Sequence, residues 1–402
     1  MISKIKSFQR KKLKNGITVL FEKRELPVVS LSITNQFGAS HETSEIKGIA
    51  HFMEHLLFTG TKTRTHEDIS REIEKRGGIL NAFTSQDATS YLFKLPSKHV
   101  FVGLDILSDM LKNSTFNHEK FEKEKKVIIE EIKMYHDSPQ RHIFDKILEC
   151  LYEKPFGEGI IGSEKTIPSL KRDFVFSYFK KRYLQGNYIV TIVGDADFEK
   201  VCNYLEKNFK SENAKLETPK IIKKNSNYME EREGLDQAHF VFAIHAPFAT
   251  DKKIHALEVL DAYLANGMSS QLFLEIRERR GLAYAVKSSI EVEKNYSHYT
   301  IYVGTMKKAV PEVKKLILQG FQNVKKMTEK DLKEAKERVI GLIDVNSEES
   351  LNIMNELVFH EVSTGDALNY YKKEEEIRKV TLKEVKSLAK ISSYSTAAIV
   401  PK

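Results

Sequence analysis

The chain has 402 residues, 41% of them hydrophobic, 10% aromatic and 30% charged; chains beyond about 250–300 residues divide into more than one core, and this apolar content excludes a disordered or low-complexity polymer. Two cysteines, Cys150 and Cys202, are too few for a disulfide framework or a Cys-x-x-Cys metal site. The net charge of +8 rests on lysines alternating with glutamates, as in Glu122-Lys123-Glu124-Lys125-Lys126, which is the pattern of solvated helix faces rather than of a nucleic-acid patch.

In chain order, Lys12–Phe21 reads as two short strands joined at Asn15-Gly16, a hairpin signal, and Val28–Phe37 alternates as a third strand. The period turns helical over Gly48–Leu57 and again over Glu67–Arg76, which stops at Gly77-Gly78. A strand follows at Ile79–Thr84, a turn at Ser85-Gln86-Asp87, and a partner strand at Thr89–Leu95. Helices are predicted over Val100–Leu111, His118–Tyr135 and Ser169–Tyr183, then a strand at Asn187–Val193 and a helix over residues 196–209. The polar, lysine-rich stretch 211–228 is the expected linker between an N-terminal domain (1–210) and a C-terminal one (229–402). The second half repeats the outline: a strand at His239–Ile244, a helix at Ile254–Leu264, a glycine-containing loop, more helices, and a closing strand at Thr396–Val400. Strands grouped before helices in each half predict an α+β class: two similar domains, each a mainly antiparallel sheet packed with helices.

The segment richest in chemistry is Gly48-Ile49-Ala50-His51-Phe52-Met53-Glu54-His55. On a helix His51 and His55 are i and i+4, so both imidazoles leave one face a turn apart and can ligate one ion. Glu54 lies beside that face, placed to take a proton from a metal-bound water. His-x-x-Glu-His is the inverted zincin pattern. The pentapeptide alone is also compatible with two satisfied histidines and a surface glutamate.

A catalytic zinc needs a third protein ligand and an open position. On the helix spanning Thr115–Pro139, Glu124 and Glu131 are i and i+7 and share a face, so one can bind the metal and the other orient a ligand. Glu130 and Glu131 are neighbours some 100° apart, so only one can face the histidines, and the relation to Glu124 selects Glu131. His136, Asp137 and His142 are expected at a helix end and turn without a metal.

His51-Phe52-Met53-Glu54-His55, followed by Glu131 with Glu124 seven residues before it, resembles the M16 family of zinc metallopeptidases. Gly60-Thr61 after the motif helix, Val127-Ile128-Ile129-Glu130-Glu131-Ile132 and Asp137-Ser138-Pro139 resemble its bacterial members, and the chain length matches its short two-domain class, which includes the mitochondrial processing peptidase. The resemblance implies that His51, His55 and Glu131 hold one Zn²⁺ per chain, that Glu54 is the general base acting on a zinc-activated water, and that Glu124 supports the site. It further implies an endopeptidase for extended, unstructured peptides, with two subunits closing into a clamshell chamber of which each chain forms half. The alternative is a catalytically inactive M16-like scaffold or partner subunit. Similar ligands also accept Mn²⁺ or Co²⁺.

Asn81, Ala82, Phe83 and Thr84 resemble the family's edge strand, to which a peptide adds through main-chain hydrogen bonds; an ordinary internal strand is the other reading. Arg277 and Tyr284 resemble its Arg and Tyr pair, which would reach the substrate carbonyl from the opposite wall of the chamber. Leu264–Phe273 resembles its glycine-rich loop, but Ala265 and Asn266 stand where glycines are frequent, which predicts a stiffer loop. His255-Ala256-Leu257-Glu258-Val259 reads as a degenerate, metal-free copy of the motif, since Val259 replaces the second histidine. A homodimer is expected. No apolar stretch approaches the ~20 residues of a membrane helix and the basic N-terminus has no apolar h-region, so the expected location is cytoplasmic, with neither membrane nor nucleic acid as a partner.

Overall fold

The computed structural model describes residues 7–212 and 218–402; residues 1–6 of the basic N-terminus and 213–217 of the expected linker lie outside them. The first half of the chain forms β1 (Phe8–Lys12), β2 (Thr18–Lys23), β3 (Val28–Asn35), α1 (Ile49–Leu57), α2 (His66–Glu74), β4 (Ile79–Thr84), β5 (Thr89–Pro96), α3 (Val100–Asn113), α4 (His118–Asp137), α5 (Pro139–Leu151), α6 (Arg172–Arg182), β6 (Tyr188–Gly194) and α7 (Phe198–Asn208). The second forms β7 (Asn227–Arg232), β8 (Ala238–His245), α8 (Lys253–Leu264), β9 (Ala283–Val292), β10 (Ser297–Thr305), α9 (Val310–Asn323), α10 (Glu329–Asn346), α11 (Ser350–Thr364), α12 (Asn369–Lys379), α13 (Leu382–Leu388) and β11 (Ser395–Pro401).

These elements gather into two compact units, each α+β and each built on one sheet. The first draws on Met1–Lys133, Gly159–Pro219 and Asn346–Tyr371, so far as they are described, and the second on Met134–Glu158, Lys220–Val345 and Lys372–Lys402. Each unit therefore takes a segment from the other half of the chain, for which a contiguous division at 211–228 does not provide.

The first sheet has the order β1-β2-β6-β3-β5-β4, antiparallel except for β2 with β6. The second has the order β7-β11-β8-β10-β9, antiparallel except for β7 with β11. In both, the closing strand of the half is inserted beside the first long strand, and the same single parallel pair results. That shared topology supports the duplication read from the sequence.

Alternation along β3 explains the layering of the first unit. Val29, Leu31 and Ile33 face one way and pack with Phe52, Met53 and Leu56 of α1 and Leu104 and Leu107 of α3. Ser30, Ser32 and Thr34 face the other way and are equally buried, because α11 covers that face through Ile353, Met354 and Leu357 against Leu20, Ile189 and Val193. The second unit repeats this plan, with α5 placing Ile143, Ile147 and Leu151 on Val241, Ala243 and Ile399.

Three features depart from the sequence expectation. The first hairpin pairs Lys12 with Thr18, and its loop is longer than a two-residue turn because buried Leu13 and Ile17 are drawn into the core. Pro139 opens a new helix at its first turn, where a missing N–H costs nothing, so His142 stands on a helix and not in a turn. The region expected to be helical after the glycine-containing loop holds the long β9–β10 hairpin.

Candidate metal centre

Helix α1 starts abruptly, and buried chemistry enforces the start. Gly48, just before it, has φ +94, a left-handed conformation that favours glycine, and a Cβ there would lie 2.7 Å from the Cα of Gly162. The buried Glu42 carboxylate accepts from the N–H groups of Gly48 at 3.0 Å and Ala50 at 2.7 Å. It satisfies two amides that a helix start leaves orphaned and complements the helix dipole. Lys47, buried as well, lies 3.5 Å from Glu42 and donates to the Ala39 carbonyl at 2.9 Å. Burial raises the Glu42 carboxyl above its ordinary range, against the pull of Lys47 and the two amides. Glu42→Ala should cost about 3–5 kcal/mol, as expected when one partner of a buried ion pair is removed; a urea midpoint of the metal-free protein equal to wild type would contradict this.

The apolar face of α1 is sealed in the core by Ile49, Phe52, Met53, Leu56 and Leu57, which presents His51 and His55 on the other side with ring centroids 4.7 Å apart. Across from them, α4 supplies Glu131. Its Oε2 lies 3.8 Å from Nε2 of His51 and 3.7 Å from Nε2 of His55. For comparison, bonds of ~2.0–2.1 Å to a tetrahedral ion set neighbouring ligand atoms about 3.4 Å apart. One ligand atom from each of the three residues falls within 4.8 Å of the others, and among the described residues no second such group of three His, Cys, Asp or Glu side chains forms.

At His51 protonation favours the same use. Burial, with the neighbouring His55, pushes His51 down to about 3, so its ring is neutral and has a lone pair to offer. His55 is also pushed down by burial, but the hydrogen bond to Glu124 and the charges of Glu54 and Glu131 outweigh this and raise it. Since a carboxylate only accepts, His55 Nδ1 is the donor to Glu124 Oε2 at 3.3 Å, which leaves Nε2 directed at Glu131 as the ligating nitrogen. Glu130 points elsewhere, ion-paired with Lys133 at 2.8 Å. Two imidazole nitrogens and one carboxylate oxygen fit Zn²⁺ chemically, a bound ion having to displace the proton that the raised His55 favours.

Glu54 is half-buried beside this group. Burial raises its carboxyl, while a hydrogen bond from Thr84 and the nearby His55 lower it. Thr84 Oγ1 donates to Glu54 Oε2 at 2.5 Å. Thr84 ends β4, the edge strand of the first sheet. Ile79 and Phe83 of β4 are exposed apolar residues, Ala82 is half-buried, and the Asn81 side chain accepts from the Ala82 amide at 2.8 Å.

In the second unit, Arg277 lies in a single π-helical stretch, Leu274–Arg279, a distortion frequent at functional sites. Its guanidinium stacks 4.8 Å from the Phe273 ring and 5.2 Å from that of Tyr284, which is 77% exposed. The adjoining loop is pinned: Asn266 donates to Asp261 at 3.1 Å and accepts from Arg338 at 3.1 Å. The segment His255–Val259 on α8, expected to be metal-free, forms an ion-pair cluster instead, with Lys373 2.8 Å and His255 3.2 Å from Glu258. Burial alone would raise Glu258, yet Lys373 and His255 hold it at about 2. Sequence reasoning missed Lys373 and the Thr84 link to Glu54, which carry no local signal because each partner comes from a different element, and also Glu42, whose partners Lys47, Gly48 and Ala50 lie within eight residues.

Comparison with known proteins gives a consistent result. The family model described as Insulinase (Peptidase family M16) matches residues 18–164, and that described as Peptidase M16 inactive domain matches residues 169–339. A Bacillus subtilis protein named uncharacterized zinc protease YmxG is 31% identical over 96% of this chain and 97% of its own length. The chain belongs to the M16 peptidase family. An uncharacterized zinc protease of Rickettsia felis is 33% identical over 81% of this chain and 79% of its own. The M16 fold recurs in a protease from Helicobacter pylori, with TM-score 0.91, 21% identity and coverage of 98% of this chain and 99% of that one. It recurs again in a Pseudomonas fluorescens protein described as a peptidase M16 inactive domain, at TM-score 0.88 and 20% identity over 98% of both chains. The inactive-domain model begins in the first half of the chain and covers most of the second, including α8. No helix among the described residues is long and apolar enough to cross a membrane.

Proposed function

We propose that this M16 chain is a zinc-dependent endopeptidase that hydrolyses extended, unstructured peptides. The observation that carries the reading is the convergence of His51, His55 and Glu131 next to an anchored carboxylate, Glu54, in a family whose relatives are named zinc proteases. His51, His55 and Glu131 would hold the metal, and Glu124 would fix the His55 ring. Zinc bound there would act as a Lewis acid on the scissile carbonyl and make a water more acidic. Glu54 then accepts the proton of the attacking water and returns it to the leaving nitrogen, a shuttle suited to a carboxyl raised by burial. Edge strand β4 would hold the peptide through its main chain, with Asn81 giving up the Ala82 amide as the strand is extended. Arg277, half-buried, and Tyr284, exposed, are assigned to substrate contact as hydrogen-bond donors. One zinc per chain, a homodimer closing as a clamshell and a cytoplasmic location complete the reading; both cysteines are free and buried.

An inactive scaffold is the rival, and metal content with chelator sensitivity separates the two. Mass spectrometry of the purified protein should find about one zinc per chain, and cleavage of a quenched fluorescent peptide should stop with chelator and return with zinc. Absence of both metal and cleavage after zinc is supplied would establish the scaffold.

A further inference from the structure

Resting on the peptidase reading above, we propose that Thr84 is the positioning residue for the general base, and that it ties Glu54 to the strand that receives the peptide. Among the described residues, the Thr84 hydroxyl makes the one side-chain hydrogen bond to the Glu54 carboxylate, Oγ1 to Oε2 at 2.5 Å. That length lies in the range of charge-assisted O–H···O⁻ bonds. A glutamate side chain has rotamer freedom worth roughly 1.5–2 kcal/mol to lose, and Glu54 projects half-buried from the side of α1 away from its apolar core face. Without an anchor its carboxylate would sample several directions; with Oε2 held, Oε1 is left to work in a fixed orientation.

The anchor is itself rigid. Thr84 pairs with Thr89 at the closed end of the β4–β5 hairpin, where Ser85 N–H donates to the Ala88 carbonyl at 2.8 Å and the Thr89 hydroxyl donates to the Phe37 carbonyl at 2.9 Å. Threonine is β-branched and stiff at χ1, so once the backbone is fixed the hydroxyl direction is nearly fixed too. Because Thr84 is the last residue of β4, a peptide added along that edge and the carboxylate that must act on it are referenced to one strand. The hydrogen bond thus sets the distance between base and substrate, a quantity in which errors of 1 Å can cost about 100-fold in rate.

Thr84→Val keeps the branched shape and deletes the donor, whereas Thr84→Ser keeps the donor. With zinc-loaded protein, Thr84→Val should lower kcat by roughly 10- to 100-fold while KM stays within about twofold, and Thr84→Ser should stay within about threefold of wild type in both. Zinc content should be equal in all three, and crystal structures should show Glu54 in one rotamer in wild type and Thr84→Ser but displaced in Thr84→Val. A Thr84→Val protein with wild-type kcat, with an undisplaced Glu54, or with zinc lost in step with activity would overturn the proposal, as would a Thr84→Ser protein equally impaired. Wild type lacking chelator-sensitive cleavage would remove the peptidase reading and this proposal together, whereas an active wild type with an unimpaired Thr84→Val removes the proposal alone.

Discussion

Glu54→Gln should lose peptidase activity on the order of 10²- to 10⁴-fold in kcat, the share that a positioned general base supplies, while binding the same amount of zinc as wild type. The separation follows from the geometry. Glu54 contributes no atom to the group formed by His51, His55 and Glu131, and glutamine has nearly the same volume and keeps a carbonyl oxygen to accept from Thr84. What disappears is the ability to take and return a proton. Steady-state kinetics with metal analysis on the same preparation checks it, and an uncompromised kcat in Glu54→Gln would place the base elsewhere. The variant also destabilises little: removing a half-buried charge that burial disfavours takes away one of the desolvation costs of folding.

How much of this was readable in the sequence depends on whether the requirement is local. The grouping of His51, Glu54 and His55 on one side of α1 was legible from their i, i+3 and i+4 spacing, and the shared face of Glu124 and Glu131 from i+7. The edge strand was legible in its limits, since Gly77-Gly78 marks its start and the turn at Ser85-Gln86-Asp87 its end. The β9–β10 hairpin was passed over although its signal is present: Tyr299, Ile301 and Val303 alternate with Thr300, Tyr302 and Gly304 in β10, a strand buried along its whole length. Pro139 was read as a stop, yet at the first helical turn proline is equally a start. The apolar stripes of α5 and α11 say that each helix packs on something but not on which sheet, which is why the exchange of segments between the two units has no local signature. For the same reason Lys373 could not be assigned to Glu258: the pair is 115 residues apart in a sequence rich in lysine.

Glu131→Gln should abolish stoichiometric zinc binding and cleavage together, with an affinity loss of more than about 100-fold, since loss of a merely supporting partner already costs 10- to 100-fold. Glu131 is the one carboxyl side chain in the group of three, and its Oε2 is nearly equidistant from both imidazoles. The amide of glutamine retains an acceptor oxygen but no charge, so a divalent cation would face two neutral nitrogens and a weak neutral oxygen. Glu124→Gln is the graded comparison. It replaces the carboxylate that holds His55 Nδ1 by a neutral amide oxygen, which weakens that hydrogen bond without touching a ligand atom, and the expected loss is about 10-fold, the lower end for a supporting partner. The order wild type, Glu124→Gln, Glu131→Gln should also appear in thermal unfolding, because a metal that binds only the folded state stabilises it by RT ln(1 + [L]/Kd). Added zinc should therefore raise Tm most in wild type, less in Glu124→Gln and not at all in Glu131→Gln, while the metal-free proteins unfold at similar temperatures. Stoichiometric zinc and full cleavage in Glu131→Gln would show that the third ligand comes from elsewhere; equal losses in both variants would show that Glu124 binds the metal directly and that the division of roles between the two glutamates is wrong.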